Sequence, residues 1–373
     1  MKKGLLLFLV TFSLVTVQAQ SEKRSLKPGF NAIEADESLL LFDAFMNRMP
    51  VEKYADSMGL SEFQLMFRSK SMGFDNLYDV WLHRDSIVVL MLRGTTQDSK
   101  SLLADFYCAM VPAIGEVKLN DSTKFNYKIA ADDRATVHAG FLAGFAFIAN
   151  DFRATLDSLY KTGYRQFMVA GQSQGGALVY FTSAWLHYLS ADGIYPGLIV
   201  KSYAAASPKM ANSYFVYDYD HWTRSEWSFS ITNSFDPIPE MPLTTQQLIP
   251  DINKENPLLA AKLGLKSEPF LKRMVLKYAY NQMERKATKS SKSYQKYLGK
   301  YVGKFIGNML PELELPEHVN TTYFLRPGVS ISLVPTAEYF DYFNAKKIDY
   351  YNHSIEAYRY LLRMQYKELP AMN

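Results

Sequence analysis

Hydrophobic and polar positions along this chain alternate between two spacings. Short apolar runs closed by polar or glycine breaks predict strands at Glu62 to Ser69, Leu77 to Arg84, Ser86 to Arg93, Phe167 to Ala170, Ile199 to Ala205 and Phe229 to Asn233. The second and third of these hinge at Arg84-Asp85, a hairpin signal. Ile87-Val-Val-Leu-Met-Leu92 is apolar throughout, as a strand covered on both faces must be. Between these runs the spacing becomes helical. Glu34 to Met49 reads as an amphipathic helix, and further helices are predicted from Val137 to about Tyr160, from Gly176 to Leu189 and from Ile355 to Tyr366. Thr96 to Met110 reads as a polar loop with a short helix, and the stretch from there to Ala135 as irregular. Strands alternating with helices argue for an α/β domain with a mostly parallel sheet flanked by helices.

From Met241 to about Leu310 the pattern changes. Phe270, Leu271, Met274, Val275 and Tyr278 keep helical spacing, as do Tyr294, Tyr297, Leu298, Tyr301, Val302, Phe305, Ile306 and Met309. Two helices joined by a Lys-rich link from Glu284 to Ser293 are expected, forming a helical cap inserted over about residues 243–312. Gly299, Gly303 and Gly307 form a stripe that would admit another helix. The sheet pattern resumes at Thr321 to Leu325 and Ser330 to Val334.

Charge sharpens this picture. Between Asp251 and Leu310 there are 13 Lys and Arg against 4 acids, although the whole chain of 373 residues carries only +4. Lys292, Lys296, Lys300 and Lys304 recur every four residues. That stripe reads either as a solvated face of a cap over the site or as an edge that docks on an anionic membrane or lipid surface, where each Lys contributes about 1 kcal/mol. At the other end, Lys2-Lys3, an apolar run from Leu5 to Val17 and small residues at Val17 and Ala19 spell a signal peptide cut after Ala19. A secreted or periplasmic protein is expected. With Cys108 the sole cysteine, no internal disulfide can form, and 48% hydrophobic residues must supply the core. Metal-ligand clusters, phosphate-binding glycine loops and nucleic-acid modules are missing from the sequence, so no metal, cofactor or nucleic-acid partner is expected.

The candidate chemistry sits at Gly171-Gln-Ser-Gln-Gly175. Alone G-x-S-x-G is weak, but here a strand precedes it and a helix follows, the context of a nucleophile elbow that lifts Ser173 above a sheet edge. Serine needs a base to take its proton and a carboxylate to orient that base. Asp236 ends a predicted strand downstream, and two histidines follow it, His318 and His353.

Five ordered blocks then resemble one family, the class 3 (fungal-type) lipases of the α/β-hydrolase fold. They are Leu92-Arg-Gly-Thr95, Val137-His-Ala-Gly-Phe141, Gly171-Gln-Ser-Gln-Gly-Gly-Ala-Leu178, Ala206-Ser-Pro-Lys-Met-Ala-Asn212 and Ile231-Thr-Asn-Ser-Phe-Asp-Pro-Ile-Pro-Glu-Met-Pro242. The resemblance implies an ester hydrolase with Ser173 as nucleophile, Asp236 as triad acid and His353 as base. His318, in Glu317-His-Val-Asn-Thr-Thr-Tyr-Phe324, takes a structural place, and His138 reads as structural too. The oxyanion hole is expected from the N–H of Gln174 and from Thr95, whose N–H and hydroxyl can both point in. A lipid ester is the implied substrate, with triacylglycerol or a partial glyceride first. A phospholipase A1-type enzyme and a catalytically silent lipid-binding protein on the same fold are the alternatives. The sequence departs from the family in three places. Gln172 and Gln174 replace the usual His and Leu around the nucleophile. The Trp of the family's S-x-x-D-W-L-x-D-L segment is lost, and its Asp falls one place late, within Gln97 to Phe106. The link from Asp236 to His318 is 82 residues long.

Overall fold

The computed structural model describes residues 24–46, 60–253, 255, 269–347 and 349–369. The expected signal peptide lies outside the described residues. Seven strands make the central sheet: β1 (Phe63–Arg68), β2 (Tyr78–His83), β3 (Ile87–Leu92), β4 (Gln166–Gln172), β5 (Ile199–Ala205), β6 (Ser228–Asn233) and β7 (Val329–Leu333). Their spatial order is their chain order. β1, β2 and β3 run antiparallel, and every pairing from β3 onward is parallel. This is the mostly parallel sheet expected from the sequence.

The period of two along the strands sorts side chains onto two cores. Val88, Leu90, Leu92, Phe167 and Val169 face one side, and Ile87, Val89, Met91, Met168 and Ala170 face the other. Nine α-helices are described: α1 (Ala32–Met46), α2 (Ser99–Phe106), α3 (Ala139–Lys161), α4 (Gln174–Ala191), α5 (Ser213–Thr223), α6 (Phe270–Tyr294), α7 (Val302–Met309), α8 (Ala337–Lys346) and α9 (Ile355–Gln365). α3 and α4 cover the first face with Phe141, Phe145, Leu178 and Trp185, while α1 and α9 cover the second with Leu39, Phe42, Tyr358 and Leu362.

Four expectations change. α1 is not amphipathic but buried on nearly every side, because it lies between the sheet and α9. Its acids survive burial through partners: Glu34 meets Lys201 Nζ at 2.6 Å, and Asp36 meets Arg359 at 2.9 Å and Arg363 at 2.8 Å. The stretch read as irregular holds two short antiparallel pairs, Ile114–Asn120 with Thr123–Lys128 and Met110–Pro112 with Thr136–His138. Val117, Leu119, Phe125 and Tyr127 turn inward there, between charged residues that dilute the apolar signal. Thr321 to Leu325 is no sheet strand; it makes only isolated bridges, Thr322 to Thr245 and Leu325 to Ala211.

The fourth change concerns the basic region. Glu284 to Ser293 is not a link but part of α6, since it holds no Pro or Gly and several good helix formers. Helix continues from Phe270 to Met309 through a π-helical stretch, Gln295–Tyr301, so one arm replaces the expected pair. Gly299 and Gly303 face not another helix but His318 and Tyr107: a Cβ on Gly303 would stand 3.0 Å from the Tyr107 ring.

Candidate active site

The parallel register brings four strand ends to one edge. Leu92 pairs with Gly171, Gln172 with Ala205, and Ala205 with Ile231. The segments leaving β3, β4 and β6 therefore carry Thr95, Ser173 and Asp236 to the carboxyl edge of the sheet, where open α/β sheets build their sites.

Ser173 stands between β4 and α4 with φ 60° and ψ −129°, a left-handed conformation rare for a side chain-bearing residue. Its N–H is held by the Ala205 carbonyl at 3.0 Å, and it keeps partial exposure. The glycines around it are required by contact. A Cβ on Gly171 would meet the Gly175 carbonyl at 2.7 Å, and one on Gly175 would strike the Leu92 carbonyl oxygen. A Cβ on Gly94 would come 3.6 Å from that of Ser173, so the loop carrying Thr95 lies directly against the serine.

Asp236 is buried and bonded through both carboxylate oxygens. Its Oδ1 accepts from the Ile238 N–H at 3.0 Å, and its Oδ2 receives the Tyr358 hydroxyl at 2.8 Å. The same Oδ2 lies 2.7 Å from His353 Nδ1. His353 sits in a 3₁₀ turn, Tyr351–His353, just before α9. That turn is pinned from two sides. Gln172, the residue before Ser173, donates from Nε2 to the His353 carbonyl at 2.5 Å, and Asn233, the last residue of β6, donates to the Asn352 carbonyl at 2.9 Å. Gln172 thus ties the serine's strand to the histidine's turn. The other histidine is elsewhere: His318 Nε2 bonds the Tyr107 hydroxyl at 2.9 Å.

Around the expected oxyanion donors the structure adds a residue that sequence reading passed over. Asp105 accepts the Thr95 hydroxyl at 2.8 Å on one oxygen and Gln174 Nε2 at 2.8 Å on the other. The Thr95 hydroxyl is therefore turned to Asp105 rather than into the site, which leaves Thr95 its N–H. Burial pushes the Asp105 carboxyl up to about 6, against the pull of the Gln174 and Thr95 bonds and the nearby His353. Its signal in the sequence was the acid displaced by one place after Arg93-Gly-Thr95. Gln174 also reaches the Ser101 carbonyl at 3.2 Å, so its polar side chain holds α2 against α4.

His138 caps α3: its Nδ1 accepts from the Phe141 N–H at 3.3 Å, and its ring stacks on Phe141 at 3.9 Å. Complete burial holds its pKa down at about 3, so it is neutral at ordinary pH. Beside Thr95 a cleft of about 640 Å³ opens between Phe45, Met46, Leu77 and Gln97. The two arginines along it are already paired, Arg68 with Asp79 and Arg93 with Asp75. Among the described residues no group of His, Cys, Asp and Glu is arranged to hold a metal ion, and no helix is long and apolar enough to cross a membrane.

The sequence profile of the family described as lipase (class 3) matches residues 89–246. No curated protein matches the chain. Among solved structures, a lipase from Rhizopus microsporus var. chinensis superposes with a TM-score of 0.41 at 15% identity, covering 57% of this chain and 69% of that one. The Rhizomucor miehei triacylglyceride lipase gives 0.41 at 18% identity, over 56% and 74%. Lipase II from Rhizopus niveus gives 0.40 at 20% identity, over 57% and 71%.

Proposed function

We propose that this chain, whose residues 89–246 match the class 3 lipase family, is a carboxylic ester hydrolase that cleaves lipid esters, triacylglycerol or partial glycerides, through Ser173, Asp236 and His353. The observation that carries the reading is the 2.7 Å bond between His353 Nδ1 and a buried Asp236 that is also held by the Ile238 N–H and the Tyr358 hydroxyl. In that bond the Nδ1–H is donated to the carboxylate, which leaves Nε2 to accept a proton. Ser173 Oγ attacks the ester carbonyl as His353 takes its proton. The charge on the carbonyl oxygen is met by the N–H groups of Gln174 and Thr95, each contributing on the order of 3 kcal/mol. His353 returns the proton to the leaving alcohol, and water, activated by the same histidine, releases the acid from the acyl-serine. Asp236 holds the ring and balances the imidazolium without itself taking a proton.

A fluorophosphonate ester should label Ser173 in the purified protein. Absence of labelling would favour the silent lipid-binding alternative. His353→Ala should reduce hydrolysis of a soluble p-nitrophenyl ester by on the order of 10⁴ or more. His318→Ala should leave it within about threefold, because that histidine is occupied with Tyr107. If the two variants exchange these effects, the base is misassigned.

The exposed Lys292, Lys296, Lys300 and Lys304 favour a second reading, phospholipase A1-type cleavage of anionic glycerophospholipids at a membrane surface to which these lysines bind. Rates on phosphatidylglycerol and on a triglyceride emulsion separate the two readings. The leader expected before Gln20 supports action outside the cytoplasm; the N-terminal sequence of exported protein tests that.

A further inference from the structure

Among the described residues, the arm from Phe270 to Met309 leaves an apolar face exposed. Phe270, Leu271, Met274, Val275 and Tyr278 are 52–74% exposed. At 100° per residue they occupy about 140° of the helix circumference, one continuous side of α6. Beyond Tyr278 the same side continues as Arg285, Lys286, Lys289 and Lys292, all exposed. Farther along, Lys296 lies 5.2 Å from the Tyr297 ring and 5.8 Å from that of Tyr301, which alternates cation with aromatic. Between residues 270 and 309 stand ten Lys and Arg and one acid, a net +9.

Resting on the lipid-ester reading above, we propose that this arm docks the enzyme on an anionic lipid surface. The apolar part of this side of α6 enters the boundary between headgroups and acyl chains, and the basic residues farther along the same side hold the headgroup phosphates. The charge chooses this occupant. A second copy of the chain would set one +9 face against another, and a nucleic acid would satisfy the lysines while leaving Phe270, Leu271 and Val275 in water. An anionic bilayer supplies both counter-charge and an apolar medium. α6 is 25 residues long, roughly 37 Å, and too charged to span, so it lies along the surface.

The full-length protein is sedimented with vesicles of phosphatidylcholine alone and with vesicles in which one quarter is phosphatidylglycerol. Wild type should partition at least about tenfold better onto the anionic set at low salt. Leu271→Glu with Val275→Glu should lower that partition about tenfold or more at both low and high salt. Lys286→Ala and Lys289→Ala should each lower it about fivefold at low salt and much less at high salt. Equal binding to both vesicle sets, or a double variant that partitions like wild type, overturns the proposal. So does a wild-type dimer in light scattering that the double variant dissolves, or duplex DNA that displaces the vesicles at equal phosphate. Hydrolysis of a soluble short-chain ester by the wild-type samples reports on Ser173 separately. Its failure removes the hydrolase reading and leaves the docking result standing.

Discussion

α4 and α6 begin alike and end up in opposite surroundings. Neither has a side-chain hydrogen bond at its N-cap, which is Ser173 in one and Pro269 in the other. α4 lies between the sheet and α3, apolar on every side, and is buried without a break from Gln174 to Leu186. α6 has a comparable stock of Leu, Val, Met, Phe and Tyr, yet Ser291 is its only buried residue. Helical spacing says that a face exists; it does not say what the face meets. The difference lies in what the neighbours supply. At the start of α4 the ends of the parallel strands leave no room even for a methyl group at Gly175 or Gly176, where a Cβ would meet Leu92, Arg93, Ala205 and Ser207. The outward side of α6 is exposed among the described residues, and polar groups such as Arg285 and Lys289 share it with the hydrocarbons.

The largest effect expected from this contrast is on the acid stability of the buried half. His138 is neutral in the fold because burial lowers its pKa from 6.5 to about 3. The stability it contributes is present above pH 6.5 and is lost as pH falls through about 3, a change on the order of 4 kcal/mol. Asp105 works the other way. Raised from 3.8 to about 6, it contributes stability below pH 4 that is lost as pH rises through 6. Because the residue keeps some exposure, its share is on the order of 2 kcal/mol. The two partly offset between pH 4 and 6. Urea melts across that range should therefore show a steeper rise in stability with pH for Asp105→Asn. For His138→Asn, whose Oδ1 can still take the Phe141 N–H, the rise should vanish or reverse. Unchanged slopes in both variants would mean that these groups are not buried as described.

Glycine tests the same contrast with a smaller effect. Gly175→Ala drives a methyl into the Leu92 carbonyl and should cost about 3 kcal/mol or more in chemical denaturation. At Gly307, in α7, a Cβ meets nothing within 4 Å, and Ala there should stabilise by about 1 kcal/mol through helix propensity. Equal costs at both positions would erase the distinction between the packed elbow and the open arm.

What was legible in the sequence follows the same division. The strands from β3 to β6 and the elbow could be read because local rules and tertiary surroundings agree there. Ile87 to Leu92 is apolar on both faces and is covered on both, and Gly171 and Gly175 sit where a side chain would collide. Asp105 could not be read, because a one-place shift in a loop-helix segment changes which way a carboxylate points. The outline of α8 was missed although Thr336 caps it and Tyr339 and Phe343 lie one turn apart, since Glu338, Asp341 and Asn344 mask the spacing. The continuity of α6 escaped for the opposite reason: a run of Lys and Ser looks like a link until nothing in it is found to stop a helix. In none of these places was composition at fault. Sequence periodicity reports a face, and only neighbouring elements decide what covers it.

Within the site the contrast predicts a moderate effect at Tyr358. Its hydroxyl donates to the same Asp236 oxygen that His353 uses, from inside α9. Tyr358→Phe keeps the ring in its buried place and removes one bond to a charged acceptor, costing about 1.5–3 kcal/mol of stability. If the bond acts only on the fold, kcat on a soluble ester is unaffected. If it holds Asp236 against His353, kcat falls about tenfold at unchanged KM, and the acid limb of the pH–rate profile moves. The second outcome is expected, because the hydroxyl and the imidazole share one oxygen.

The smallest effect is the sharpest test of the arm. Leu271→Ser and Val275→Ser remove apolar side chains that are 74% and 66% exposed, and each should change unfolding free energy by no more than about 0.5 kcal/mol. Leu178→Ala in α4, a smaller chemical change, should cost about 2–5 kcal/mol, because it empties space the sheet and α3 cannot refill. A core-sized cost at Leu271 or Val275 would mean that the outward side of α6 is covered in solution. The comparison between the two helices would then fail at its root, since both would be core helices and the basic arm would have a partner within its own chain. A near-zero cost, together with lost partition onto anionic vesicles, leaves those side chains without a role in folding and with one in binding.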